Sequence, residues 1–208
     1  MSNETLAPNH HKDFPRFAGA LGLLAALSMT VRRGGDARLA VGLTGAGPGD
    51  TVVDVGCGPG AAARHAARAG ATVIGVDPAR VMRRVAGVLT AGRGRGIRYL
   101  DGTAEALPVG DGAATVLWSI ATVHHWADID AGLAEARRVL APGGRLLAVE
   151  RRTRPGAHGH GSHGWTDAQA DAFAVRCRSQ GFEGVRVEQR TGGRGPVLAV
   201  LGAAPVVN

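Results

Sequence analysis

Short apolar runs rich in valine alternate along this chain with amphipathic stretches rich in alanine and arginine. The apolar runs are bounded by Gly, Pro or Asp, which is typical of buried strands, and the stretches between them have helical length. The pattern predicts strands at about 51–55, 72–76, 97–101, 114–120, 145–150, 184–189 and 197–202. It predicts helices at about 14–30, 36–44, 60–69, 79–90, 127–140 and 166–180.

The alternation of strands and helices predicts the fold class. Strands separated by helices form a mostly parallel sheet with helices on both faces, so we expect an α/β fold. A chain of 208 residues is long enough for one domain with a substantial core. We expect residues 1–45 to form an N-terminal tail and helical cap, and residues 46–208 to form the α/β domain.

A glycine-rich turn follows the first predicted strand. Residues 52–60 read Val-Val-Asp-Val-Gly-Cys-Gly-Pro-Gly, and the second strand ends in Asp77 about one βα unit later. Glycines let the backbone approach a ligand closely, and an acid at the end of the second strand accepts hydrogen bonds from ribose hydroxyls. Asp77 precedes Pro78, so it is also suited to cap the next helix. The layout predicts a nucleotide-binding βαβ unit.

Two classes of nucleotide fit this turn. Residues 56–61 satisfy the loose dinucleotide pattern G-x-G-x-x-G/A. A dinucleotide would bring an anionic pyrophosphate to the helix N-terminus, and the Asp54 carboxylate would lie near it. S-adenosylmethionine has no phosphate and carries a sulfonium and an ammonium, for which a nearby acid is favourable. Asp54 therefore favours S-adenosylmethionine, with a nicotinamide oxidoreductase as the disfavoured alternative.

Four segments in order resemble the class I S-adenosylmethionine-dependent methyltransferases. The resemblance is to the type 11 group, which includes ubiquinone and menaquinone methyltransferases. The segments are Asp-Val-Gly-Cys-Gly-Pro-Gly at 54–60, Gly-Val-Asp at 75–77, Gly-Thr-Ala-Glu-Ala-Leu-Pro at 102–108 and Arg-Arg-Val-Leu-Ala-Pro-Gly-Gly-Arg-Leu at 137–146. The resemblance implies a Rossmann-like, seven-stranded sheet whose last strand is antiparallel and inserted beside the fifth. It also implies that residues 46–208 are an S-adenosylmethionine-binding methyltransferase domain.

The same resemblance implies the cofactor site. The glycine turn would wrap the methionine part, and Asp77 would bind the ribose. Thr103 stands where the family commonly has an Asp that contacts the adenine amino group, so the backbone amide of Ala104 would share that contact. The candidate cofactor-binding residues are Asp54, Gly56, Gly58, Gly60, Asp77, Thr103, Ala104 and Ser119.

Histidines supply the candidate catalytic groups. His124 and His125 follow the fourth strand, where the chain of related proteins passes the sulfonium; they are either general bases or structural residues. His160, in the glycine-rich loop 156–164, is a candidate proton shuttle or part of a surface loop. That loop has three histidines but no Asp, Glu or Cys, so no metal site is expected. For Trp126, core packing is favoured over a cation–π contact.

Composition and charge indicate which classes of binding partner and which cellular location to expect. The net charge of +7 invites a nucleic-acid interpretation, but the arginines are spread along the chain and aromatic residues make up only 4%. Nucleic acid is therefore not an expected partner. The apolar run 18–29 is shorter than the roughly 20 residues of a membrane span. Two cysteines are too few for a disulfide framework, which favours the cytoplasm.

The expected activity is methyl transfer from S-adenosylmethionine to O, C or N of a small molecule. Arg151 and Arg152, which follow the fifth strand, would suit an anionic acceptor. An RNA or protein methyltransferase is an alternative supported only by the basic charge. A non-catalytic S-adenosylmethionine-binding partner or regulatory protein is the other alternative.

Overall fold

The computed structural model describes residues 34–92, 96–157 and 163–206, in which seven strands form one sheet flanked by five α-helices. The strands are β1 (Thr51–Val55), β2 (Thr72–Val76), β3 (Ile97–Leu100), β4 (Ala114–Ile120), β5 (Leu140–Arg151), β6 (Glu183–Gly192) and β7 (Gly195–Ala203). The helices are α1 (Gly34–Thr44), α2 (Ala61–Arg68), α3 (Arg80–Thr90), α4 (Ile129–Val139) and α5 (Asp167–Ser179). A short 3₁₀ helix covers Val123–His125.

The strand order is β3-β2-β1-β4-β5-β7-β6. The five strands β1 to β5 pair in parallel, whereas β7 pairs antiparallel with both β5 and β6. This order confirms the expected Rossmann-like sheet with its antiparallel last strand beside the fifth. The order reverses between β1 and β4, so a crevice is expected beyond the carboxyl ends of these two strands.

Helices cover both faces of the sheet. Alternate strand residues point to opposite faces, so both sets of side chains are buried. Val53 belongs to the core on the face covered by α4 and α5, together with Leu117, Leu133 and Phe173. Val52 belongs to the core on the face covered by α1 and α2, together with Ala40, Ala63 and Trp118. This explains why the strands read as continuous apolar runs.

The predicted element boundaries agree with the structure to within about three residues except at β5. The sequence predicted that β5 begins at residue 145, because Pro142, Gly143 and Gly144 indicate a break. In the structure, Leu140 already pairs with Ala114, and the register then shifts so that Val116 pairs with Arg145. The predicted helix 14–30 lies outside the described residues. None of the described helices is long and apolar enough to cross a membrane.

Trp126 lies in the core, as favoured by the sequence. Its side chain is 9% exposed and meets the ring of Phe173 edge-on, with the ring centroids 6.3 Å apart. Gly132 of α4 makes this packing possible, since an added Cβ there would lie 2.5 Å from the indole ring.

Two residues of α4 hold the loop that follows β3. Glu135 accepts a hydrogen bond from the Leu107 N–H (2.8 Å), and Arg138 donates to the carbonyls of Leu107 (3.1 Å) and Val109 (2.8 Å). Arg138 also pairs with Glu135 at 2.6 Å, and this hydrogen bond holds the pKa of the Glu135 carboxyl below its usual range. The contacts fix the loop that begins at residue 101 against the helix.

Replacing Arg138 by alanine is expected to lower the free energy of unfolding by about 1–3 kcal/mol, because two backbone carbonyls and the carboxylates of Glu135 and Asp111 lose a charged donor. Arg137→Ala is the matched control. The Arg137 side chain makes no hydrogen bond or ion pair within the described part of the chain, so its removal should cost under about 0.5 kcal/mol. Urea denaturation of both variants measures the difference, and equal losses would contradict this role of Arg138.

Candidate functional site

The glycine turn between β1 and α2 has three residues in the left-handed region. The φ angles are +68° at Gly56, +51° at Gly58 and +74° at Gly60, and glycine adopts these angles at the lowest cost. The N–H groups of Gly56 and Cys57 both donate to the carbonyl of Val76, at 2.8 and 3.0 Å. The turn is thereby tied to the carboxyl end of β2.

The three glycines meet different surroundings. A Cβ added at Gly56 would lie 2.6–2.8 Å from side-chain atoms of Thr122, and one at Gly60 would overlap the ring of Tyr99. A Cβ added at Gly58 would meet no atom of the described residues within 4 Å. Packing therefore requires glycine at the first and third positions, whereas no described residue crowds the second.

Asp77 braces the middle of this turn. It is 8% exposed; its Oδ2 accepts a hydrogen bond from the Gly58 N–H and its Oδ1 accepts one from the Ala79 N–H, each at 2.8 Å. The bond to Ala79 forms a turn just before α3, but Asp77 is not the N-cap that the sequence allowed, because the N-cap residue is Ala79 and no side chain caps it. A carboxylate oxygen has two lone pairs, so these bonds are compatible with further donors such as ribose hydroxyls.

A small cleft, partly open to solvent, lies beside the turn. Its lining residues are Ala37, Asp54, Gly56, Cys57, Pro59, Ala61, Ala62 and Ile120. Asp54 is 2% exposed and is the one ionisable carboxyl group of this lining. Burial, helped by Asp54 and Asp77, raises the pKa of the Cys57 thiol, so this side chain stays neutral. The cleft thus offers a negative charge and small apolar surfaces.

Helix α1 forms one wall of this cleft through Ala37. Its first turn is held by Asp36, whose Oδ1 accepts a hydrogen bond from the Gly193 N–H (2.8 Å) at the turn between β6 and β7. Gly35 packs directly on the backbone of Gly193. The cleft wall is therefore fixed to the sheet.

Ser119 is linked to the glycine turn through Thr122, a residue that the sequence pattern did not single out. Ser119 is 1% exposed, and its hydroxyl lies 2.5 Å from the hydroxyl of Thr122. Thr122 donates to the carbonyl of Val55 (3.0 Å) and packs against Gly56. Ala121, the residue just before Thr122, has φ +55°, which is a strained angle for a non-glycine residue. A hydroxyl three residues after Ser119, at the carboxyl end of β4, was the available signal.

The loop after β3 places Thr103 and Ala104 near the same edge of the sheet. Thr103 is exposed and Ala104 is 6% exposed. Glu105 reaches across to the segment after the 3₁₀ helix, where its Oε1 accepts hydrogen bonds from the N–H groups of Ala127 (2.7 Å) and Asp128 (3.2 Å). Glu105 therefore braces the loop against the segment after the 3₁₀ helix.

Three imidazoles lie together beyond β4 and β5. The ring centroid of His124 is 4.0 Å from that of His125 and 5.4 Å from that of His163. Nδ1 of His124 lies 2.9 Å from Oε2 of Glu150, whose side chain is fully buried. Glu150, the last residue of the predicted strand 145–150, is a residue of this site that the sequence pattern did not single out. His160 lies outside the described residues, and no group of His, Cys, Asp and Glu side chains within the described ranges could hold a metal ion.

The two arginines at the end of β5, Arg151 and Arg152, have different surroundings. Arg152 forms a two-point ion pair with Asp167, the first residue of α5, at 2.8 and 2.5 Å. Arg151 donates from Nε to the carbonyl of His163 (3.1 Å). Arg152 therefore fixes the start of α5, and Arg151 lies beside the histidine cluster.

Comparison with known protein families gives a match to this part of the chain. The family model described as a methyltransferase domain matches residues 53–148. The chain carries a methyltransferase domain. The matched range holds β1 to β4 and most of β5, and with them the glycine turn, Asp77, the loop after β3 and His124. The resemblance inferred from the four sequence segments is confirmed.

The chain matches only part of the length of its relatives. The chain is 41% identical over 81 residues to a demethylmenaquinone methyltransferase of Thermus thermophilus, which is 39% of this chain and 37% of that protein. It is 35% identical over 134 residues to a malonyl-[acyl-carrier protein] O-methyltransferase of Serratia marcescens, 64% of this chain and 49% of that protein. The chain thus spans less than half the length of these two relatives.

Solved structures share the fold of the methyltransferase domain. An S-adenosylmethionine-dependent methyltransferase from Aquifex aeolicus superposes with a TM-score of 0.72 at 16% identity, over 88% of this chain and 98% of that chain. A phosphoethanolamine N-methyltransferase 2 from Haemonchus contortus, in complex with S-adenosyl-L-methionine, gives 0.72 at 17% identity, over 89% and 57%. At these identities the likeness concerns the fold.

Proposed function

We propose that this chain binds S-adenosylmethionine and transfers its methyl group to O, C or N of a small molecule. The observation that carries the proposal is the cleft beside the glycine turn, which holds the buried carboxylate of Asp54 and no cationic side chain among its lining residues. This charge suits a ligand with an ammonium and a sulfonium and disfavours a pyrophosphate. The open space over Gly58 gives such a ligand access to the backbone.

The residues around the cleft fit the parts of the cofactor. Asp54 would pair with the ammonium, the glycine turn would face the methionine chain, and Asp77 would accept hydrogen bonds from the ribose. Thr103 and Ala104 would meet the adenine. Ser119 would act through Thr122, since its hydroxyl is engaged there at 2.5 Å.

The cofactor supplies an activated methyl group, so the protein's task is positioning, exclusion of water and removal of a proton from acceptors that carry one. His124 is the proposed proton acceptor, because its Nδ1 is held at 2.9 Å by a buried carboxylate. His125 and His163 flank it and would line the acceptor side.

The proposed acceptor is a small molecule, and an anionic one is favoured by Arg151 beside the histidine cluster. Relatives named as quinone and malonyl-[acyl-carrier protein] methyltransferases support a small or carrier-bound acceptor. We also propose a cytoplasmic location, because Cys57 and Cys177 are both free thiols and both buried.

Asp54→Asn tests the observation that carries the proposal. The substitution keeps the shape and removes the charge, so affinity for S-adenosylmethionine should fall at least about tenfold, or 1.4 kcal/mol. Calorimetric titration measures the affinity. Asp111→Asn is a matched control, since Asp111 is 81% exposed and pairs with Arg138 away from the cleft. Equal affinities for the wild type and Asp54→Asn would contradict the assignment.

Methyl transfer itself is tested with S-adenosylmethionine labelled in its methyl group. The wild-type protein is incubated with panels of phenols, quinols, carboxylic acids and amines, and separately with RNA and protein extracts, and labelled products are identified by mass spectrometry. Label on a small molecule is expected. Label only on RNA or protein, or binding of cofactor without any transfer, would overturn the proposal in favour of the corresponding alternative.

A further inference from the structure

Glu150 is a fully buried carboxylate near the end of β5. A buried charge is costly unless hydrogen bonds compensate it. Its Oε1 accepts hydrogen bonds from the N–H groups of Val123 (2.8 Å) and His124 (3.4 Å), and its Oε2 lies 2.9 Å from Nδ1 of His124. Among the residues that the structure describes, His124 is its one ion-pair partner.

The backbone contacts alone do not require a carboxylate. A glutamine could accept the same bonds from Val123 and His124 through its amide oxygen. The second oxygen of Glu150 is what distinguishes the two residues, because it faces Nδ1 of His124 as an acceptor. This contact assigns the proton of the neutral imidazole to Nδ1 and leaves the lone pair on Nε2.

Nε2 of His124 makes no hydrogen bond to any residue in the described ranges, and the side chain is 14% exposed. The ring belongs to the segment after β4, two residues beyond Thr122, which packs against Gly56 of the glycine turn. His124 therefore stands at the carboxyl edge of the sheet, next to the proposed cofactor turn.

We propose that Glu150 is a positioning residue that fixes the tautomer and orientation of His124, and that the acceptor substrate therefore carries a proton on the atom that is methylated, as the oxygen of a phenol does. The inference rests on the proposed function of the site. As the acceptor oxygen forms its bond to the methyl carbon, its proton passes to Nε2 of His124. The electron pair of the broken S–C bond stays on sulfur, and the imidazolium later releases its proton to water.

Glu150→Gln is the decisive variant. Its amide oxygen must still face the buried N–H of Val123, so its NH₂ group faces Nδ1 of His124. The imidazole then has to accept at Nδ1 and carry its proton on Nε2, where it can no longer take one. Glu105→Gln is the matched control, because Glu105 also accepts backbone N–H bonds of the segment after β4 but does not contact His124.

Two-bond ¹H–¹⁵N spectra of the imidazoles report the tautomer without any substrate, and His124→Gln identifies the signals of His124. At a pH where the ring is neutral, the wild type and Glu105→Gln are expected to show a protonated Nδ1 and a bare Nε2. Glu150→Gln is expected to show the reverse. A bare Nδ1 in the wild type, which needs no variant to fold, or an unchanged tautomer in folded Glu150→Gln, would overturn the proposal.

Kinetics and binding separate this proposal from the function it rests on. With phenols as probe acceptors, Glu150→Gln should lower kcat about 10²-fold or more while KM changes little, and Glu105→Gln should retain the wild-type rate. Affinity of Glu150→Gln for S-adenosylhomocysteine should stay within about twofold of the wild type. A wild-type rate in Glu150→Gln would refute the positioning role alone. Failure of the wild type to bind S-adenosylhomocysteine would instead refute the proposed function.

Discussion

Gly58→Ala is expected to weaken binding of S-adenosylhomocysteine at least about tenfold while the protein stays folded. An added Cβ meets no atom within 4 Å in the part of the chain that the structure describes, so the expected cost to folding is that of the φ angle of +51°, about 1 kcal/mol. The methyl group would instead occupy the open space that the proposed ligand needs. Calorimetric titration and urea denaturation of the same sample measure the two effects.

Two other glycines serve as controls for this variant. Gly49 has φ +86° and no described neighbour within 4 Å of an added Cβ, but it lies before β1, at the opposite end of that strand. Gly49→Ala should therefore cost similar stability and leave binding unchanged. Gly56→Ala should lose more stability than either, because its Cβ would lie 2.6 Å from Thr122, which two hydrogen bonds hold in place. Unchanged binding in Gly58→Ala would show that the ligand does not pass over this glycine.

Asp77→Ala is expected to lower both the affinity for S-adenosylhomocysteine, at least about tenfold, and the free energy of unfolding, by about 1–3 kcal/mol. The N–H groups of Gly58 and Ala79 lose their acceptor, and the glycine turn loses its brace. The proposed ribose hydrogen bonds are lost as well. Calorimetry and urea denaturation again give the two quantities.

A ligand without the ribose 2′-hydroxyl separates the two roles of Asp77, which are bracing the glycine turn and binding the ribose. The 2′-deoxy analogue of S-adenosylhomocysteine should show a smaller difference between the wild type and Asp77→Ala than the parent ligand does. Asp101→Ala is the control: Asp101 follows β3, is 73% exposed and pairs with Arg83. Its loss should leave affinity within about twofold. Equal differences for both ligands would mean that Asp77 acts only on the turn.

Most of the fold could be predicted because the strands are short apolar runs with clear boundaries. The β1 and β2 limits follow from Asp50, the glycine turn and Asp77, which interrupt the apolar pattern. The early start of β5 could not be predicted, since the pairing of Leu140 with Ala114 is a tertiary contact and the sequence between 141 and 144 indicates a turn. The residues next to β1 and β2 set the limits of these strands, whereas tertiary pairing sets the start of β5.

The candidate site was predicted where its residues follow one another along the chain. The glycine turn and Asp77 form one βα unit, so spacing was sufficient to place them. Thr122 and Glu150 were missed because their roles depend on β4 lying beside β5, with Ile120 paired to Val149. That pairing brings the segment after β4 next to the end of β5. An acid at the end of one strand and a histidine after its neighbour are the signal for such a contact.

The central claim, that the glycine turn and Asp54 bind S-adenosylmethionine and no dinucleotide, is tested most directly by calorimetric titration of the purified chain. S-adenosylhomocysteine and NADH are titrated in parallel under the same conditions. We expect S-adenosylhomocysteine to bind with a micromolar dissociation constant, about −8 kcal/mol, and NADH to give no measurable heat. Binding of NADH in preference to S-adenosylhomocysteine, or of neither ligand, would contradict the account.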